Sequence, residues 1–189
     1  MRKTLEPKAW LTPNPVLIIA AYKEDENIAI MNAAWGGVVD NDLIGITISS
    51  NHDTTKAILH KKCFTISLAT KETCLAADYV GIVSGNKEKD KFNLSHLTST
   101  KSANINAPII NEMPLSFECE LVSYDANREY LLARVVSISA DSAIIDENGN
   151  IDMRKFHPIF FNPLNNYYHE FGDVVGKAFK CGLMIKNQK

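Results

Sequence analysis

Three short stretches carry residue types and spacings suited to holding a ligand. Ser49-Ser50-Asn51-His52-Asp53-Thr54-Thr55-Lys56 leaves a β-branched run and enters a segment of helical composition. Hydroxyls of Ser50 and Thr54, amides of a helix start and a protonated His52 can all donate to a phosphate there. A capped helix start beside a polar surface loop is the other reading. Ser84-Gly85-Asn86-Lys87-Glu88-Lys89-Asp90-Lys91-Phe92 offers a glycine turn and a lysine, Lys91, able to neutralise a phosphate dianion; alone it also reads as a solvated charge run. In Asn32-Ala33-Ala34-Trp35-Gly36-Gly37, small side chains let a planar ligand approach backbone amides, with Trp35 as an aromatic wall or, alternatively, a core or interface residue.

Other chemistries lack their residue patterns. The chain has no GxxxxGK[ST] phosphate loop, no GxGxxG dinucleotide turn, no GxSxG elbow and no HExxH pair. His60, His96, His157 and His169 stand apart from one another and from the cysteines, so no metal site is expected. Cys63, Cys74, Cys119 and Cys181 form no CxxC and read as reduced packing residues. A formal charge of -2 gives no general attraction to nucleic acid or to an anionic membrane.

The elements that must position these stretches are mostly strands. Val16 to Tyr22 is a continuous apolar run after two prolines, Asn27 to Met31 its partner strand, and Leu43 to Ile48 a third. Residues 32–39 show neither a helix nor a strand signature. Thr54 to Lys61 reads as a helix, Cys63 to Leu68 as a strand and Glu72 to Ser84 as a helix ending near Gly81 to Gly85. Leu115 to Tyr124, Glu129 to Ser139 and Ser142 to Asp146 are strand candidates, with Asn148-Gly149 a tight turn. Roughly seven strands with a few short helices suit a small barrel rather than a doubly wound sheet.

The 189 residues, 46% apolar and 22% charged, fit one globular domain, with 1–10 and 181–189 as flexible or arm-like ends. Prolines 7, 13 and 15 interrupt any signal-peptide core, and no window reaches the length of an apolar spanning helix, so a cytoplasmic protein without membrane attachment is expected. The aromatic stretch from Pro163 to Gly172 and the segment after it suit an arm packed over the barrel or over a second subunit.

Taken in order, NPVLIIA, NIAIMNAAWGG, ISSNHDTTKAI, CFTISLAT, ADYVGIVSG, DKF and NAPIINEMPLSFECEL resemble the flavin reductase-like family, and within it the flavoredoxin-type branch. The match spans roughly residues 11 to 180. It implies a mainly β, FMN-binding split β-barrel of Greek-key-like order, noncovalent FMN, and a homodimer with its sites near the subunit interface. Carried over residue by residue, Asn32, Ala33, Ala34 and Trp35 line the flavin ring and ribityl chain. Ser49, Ser50, His52 and Thr54 form the phosphate side, and Ser84 precedes the turn leading to Lys91, a second phosphate anchor. Many members have an arginine near the His52 segment; this chain does not, which shifts the load to Lys91 and neutral donors. Tyr168 reaches the site from the C-terminal arm or, alternatively, serves as a core or interface tyrosine. The chemistry is flavin-centred, with no protein catalytic residue required. The implied activity is an NAD(P)H-dependent flavin reductase, with NADH or NADPH as donor. The alternatives are a flavoredoxin-like carrier that keeps FMN and takes electrons from a redox protein partner, and a non-enzymatic flavin-binding protein.

Overall fold

The computed structural model describes residues 1–186. Its centre is a seven-stranded sheet curled into a half-barrel and built from β2 (Leu17–Tyr22), β3 (Ile28–Ala33), β4 (Gly36–Asp40), β5 (Leu43–Thr47), β6 (Cys63–Leu68), β9 (Leu115–Asp125) and β10 (Tyr130–Ala140). The strand order is β3-β2-β6-β9-β10-β5-β4, and every neighbouring pair is antiparallel. Two smaller sheets accompany it: β1 (Asn14–Pro15) with β11 (Ile159–Asn162) and β12 (Tyr167–Glu170), and β7 (Ser99–Lys101) with β8 (Pro108–Ile110). The chain is mainly β, with a few short helices, as the sequence suggests.

Strand β2 explains the architecture. Side chains alternate across a strand, and here both sets are apolar. Leu17, Ile19 and Ala21 enter one buried cluster, inside the curl, while Val16 and then Ile18 and Ala20 enter a second. Helix α1 (Asp53–Lys61) closes the first cluster with Ala57 and Ile58. Helix α2 (Cys74–Ile82) covers the second with Ala77 and Val80, joined by Ile159, Phe161 and Tyr168 from β11 and β12. Helix α1 stops at Lys62, whose left-handed φ of 63° returns its amide to the Ile58 carbonyl. Short α3 (Lys91–Leu94) follows the polar connection after α2. Two further single-turn helices, α4 (Met153–Phe156) and α5 (Leu183–Lys186), complete the described helices.

Several expectations require correction. Residues 36–39, within the stretch 32–39 read as irregular, lie in edge strand β4, because Gly36 to Val38 pair with Ile44 to Ile46 of β5. Residues 142–144 form a 3₁₀ turn rather than a strand, since the Asp141 side chain accepts from the Ala143 amide at 2.8 Å and caps it. Strand β12 lies in the aromatic stretch from Pro163 to Gly172, and β11 just before it, where the sequence reading places no strand. Twelve strands are present among the described residues, seven of them in the main sheet. Cys63 and Cys119 are buried, whereas Cys181 is exposed and packs nothing of the core. Residues 181–186 of the expected arm include α5, and residues 187–189 lie outside the described part.

Ile58 anchors α1 and is 0% exposed. Ile58→Ala should cost about 3 kcal/mol, from lost burial plus the residual cavity. Urea unfolding should show a lower midpoint with an unchanged m value.

Candidate functional site

Two adjoining cavities share Asn32, one between the start of α1 and the end of α2, the other between the ends of β3 and β5 and the start of β10. The narrower, about 200 Å³, is lined by Asn32, His52, Thr54, Ser84 and Lys91, together with Gly81, Gly85 and Asn86. The wider, about 400 Å³, is lined by Asn32, Ala33, Ala34, Trp35, Ser49 and His52, together with Glu129 and Phe161. Met31, Asn32 and His52 border both, so the two spaces form one groove.

Local structure sets each position. Met31 and Ala33 of β3 point into the first core, which leaves Asn32 on the opposite face, where its Nδ2 donates to the Ala77 carbonyl at 3.1 Å. Gly81 permits this approach, because a Cβ there would lie 3.2 Å from the Asn32 Cβ. His52 caps α1 from an extended backbone, without spending its side chain on a capping bond. Asn86 ties the connection after α2 to the loop before α1. It accepts from Lys56 Nζ at 3.1 Å and donates to the Asn51 carbonyl at 2.8 Å.

The narrow cavity sets one ammonium, Lys91, near one carboxylate, Asp53. Lys91 is 6% exposed, and among the described residues no carboxylate lies within ion-pair distance of its Nζ. Burial holds its ammonium down at about 8, with the Asp53 carboxylate pulling weakly the other way. An ammonium desolvated without an ion-pair partner is poised to take an anion.

Of the residues singled out by sequence, nine line the groove, but they divide differently from the expectation. Ser49 faces the wide cavity, where its Oγ donates to Glu129 Oε1 at 2.6 Å, so it stands apart from the phosphate-side set of His52, Thr54, Ser84 and Lys91. Ser50 lines neither cavity; its hydroxyl lies by the Tyr124 phenol. Tyr168 also lines neither. Its phenol donates to Asp78 Oδ1 at 2.8 Å beside Asn32, and burial followed by that bond pushes its pKa up to about 12. Tyr168 therefore packs beside Asn32 in the second core without lining either cavity. The core reading of Trp35 is overturned, since the ring is 68% exposed. Sequence reasoning missed Asn86, Glu129 and Phe161. Asn86 stood inside a stretch already singled out, whereas Glu129 and Phe161 reach the groove only through long-range strand pairing.

The folded-state pKa of Lys91 lies below its ordinary 10.5, so the unfolded chain binds more protons between about 8 and 10.5. Ligand-free stability should therefore rise with pH across that window, and below it the buried charge is a constant cost. Lys91→Met should stabilise the ligand-free protein at pH 7 by about 2 kcal/mol and flatten this rise. Thermal melts at stepped pH would check both.

Similarity to known proteins agrees with this architecture. The flavoredoxin of Desulfovibrio vulgaris (Miyazaki F) superposes with a TM-score of 0.91 at 28% identity, covering 96% of this chain and 100% of that one. The flavoredoxin from Methanosarcina acetivorans gives 0.86 at 21% identity, over 97% and 100% of the two chains. An uncharacterized protein of Aquifex aeolicus is 25% identical over 180 residues, 89% of this chain and 90% of its own. The model of the flavin reductase like domain matches residues 10–171, the stretch that holds both cavities and every strand of the curled sheet, and the chain belongs to that family.

Proposed function

We propose that this protein binds FMN noncovalently in the two-part groove and works as a flavin-dependent oxidoreductase, with NADH or NADPH as the donor that reduces the flavin. The observation that carries the reading is the buried, unpaired Lys91 ammonium in a narrow cavity that opens into a wider, largely apolar one. A phosphate fits the narrow part: Lys91 supplies charge, Thr54, Ser84 and His52 supply neutral or switchable donors, and Gly81 and Gly85 keep side chains out of the space. A planar ring fits the wide part, where Ala33 and Ala34 leave backbone accessible and Trp35 and Phe161 offer aromatic walls. When bound, FMN supplies the hydride-accepting and electron-donating chemistry. The chain's own residues orient it. Lys91 fixes the anionic end, Asn32 is held at the junction by Ala77, and the half-open wide cavity leaves one face accessible to a donor.

A flavoredoxin-like role, in which FMN stays bound and a redox protein delivers the electrons, is the second reading. It is favoured by the 28% identity and 0.91 TM-score to a flavoredoxin over nearly the full chain. Anaerobic visible spectra of the FMN-loaded protein separate the two. Rapid loss of the oxidised band with NADH or NADPH is expected from the first. A band that resists both nicotinamides but disappears with a reduced low-potential redox protein would transfer the assignment to the second, and failure to take up FMN would overturn both. Lys91→Met should weaken FMN at least tenfold while leaving riboflavin nearly unchanged, and wild-type affinity for FMN should fall as pH rises through about 8, where Lys91 loses its proton. Equilibrium dialysis of both ligands checks this, and equal losses would remove Lys91 from the phosphate role.

The working unit in this reading is a homodimer. Trp35, Val38 at 82% exposure and Val39 are exposed apolar residues on and just before β4, an edge strand of the main sheet. Val174, Val175 and Phe179 of the C-terminal arm are also exposed. Light scattering should give twice the 21.0 kDa chain mass, and Val38→Lys should shift the protein toward monomer.

A further inference from the structure

Glu129 closes the β9–β10 hairpin loop just before β10, with the left-handed φ of 52° common at the last position of such loops. Two bonds hold it there. The Ile48 amide donates to its carbonyl at 2.8 Å, and Ser49 Oγ donates to its carboxylate at 2.6 Å. Among the described residues no cation comes within ion-pair distance of that carboxylate; neighbouring Arg128 lies 3.7 Å from Asp125 instead. The half-buried side chain lines the wide cavity together with Asn32, Trp35, His52 and Phe161. A hydroxyl donor holds the carboxylate in place without neutralising it, so the wide cavity carries a fixed negative group, while the narrow one holds the Lys91 ammonium near the Asp53 carboxylate.

We infer that Glu129, positioned by Ser49, lowers the reduction potential of the flavin ring held in the wide cavity, making the bound flavin a donor to low-potential acceptors. This rests on the FMN reading above. Two electrons delivered with fewer than two protons leave net negative charge in the cavity. A carboxylate in the same partly desolvated space opposes that charge, more strongly than it would in water. Glu129 transfers neither proton nor electron; it shifts the equilibrium.

The test is the midpoint potential of FMN bound to wild type, Glu129→Gln and Glu129→Asp, measured anaerobically against a reference dye. Removing the charge in Glu129→Gln should favour the reduced form at least tenfold, about 30 mV for a two-electron couple, while Glu129→Asp, which keeps the charge, should stay closer to wild type. A Glu129→Gln potential equal to wild type, or a Glu129→Asp shift as large as that of Glu129→Gln, would overturn the inference with FMN binding intact. Absence of FMN uptake by wild type would instead defeat the cofactor reading on which it rests. Should Glu129→Gln not fold, Ser49→Ala frees the carboxylate to turn toward water and should raise the potential about threefold in equilibrium terms; an unchanged value would sink the proposal equally.

Discussion

Burial of β2 on both faces is the constraint from which the rest of the molecule follows. A strand apolar on one face needs one cover, whereas β2 needs two, because Leu17, Ile19 and Ala21 enter one core and Val16, Ile18 and Ala20 the other. The sheet curls around the first set and receives α1, and the second set receives α2 with β11 and β12. Both helices also pack on β3, the neighbour of β2 and the edge of the sheet. The ends of α1 and α2 flank Asn32, and there the two covers fail to meet. The groove is what remains between two well-packed cores, so its walls inherit their rigidity.

Lys91 shows what that rigidity is set against. Covering an ammonium without an ion-pair partner destabilises the ligand-free fold, which is why its proton affinity falls to about 8. A chain selected for stability alone would place an apolar residue there. Retaining a charge at a sub-optimal position is expected where a ligand restores the missing interaction, and mass action then returns the stability on binding.

Legibility in the sequence followed the range of the interactions. The two-faced apolar run of β2, the helix over 54–61 and the turn at Asn148-Gly149 are local patterns, and each stands where periodicity or turn chemistry puts it. Thr54, Ser84 and Lys91 were visible because a helix start and a glycine turn announce themselves in a few residues. Ser49's place in the wide cavity was not legible, because its rotamer answers to Glu129, 80 residues away, through the pairing of β5 with β10. Strand β4 escaped notice because its glycines carry no β propensity, and only the complementary edge of β5 orders it. Tyr168 was seen as a residue of the site, but its bond to Asp78 crosses from β12 to α2, which no local pattern encodes.

The groove's charged groups, Lys91 with Asp53 in the narrow cavity and Glu129 in the wide one, also bias the direction in which a ligand lies, because only the narrow cavity offers a cation. A molecule with a dianion at one end and a neutral planar group at the other gains from Lys91 when its anion enters the narrow cavity. Turned around, the same molecule would set its anion against the Glu129 carboxylate and leave Lys91 buried without a partner. Both terms act against the reversed pose, one by repulsion and the other by an unmet desolvation cost. The second term is the firmer, because Lys91 is buried whereas Glu129 is only half-covered and better screened by water. Orientation therefore rests first on Lys91, which leaves Glu129 free to act on the reactivity of whatever ring lies beside it.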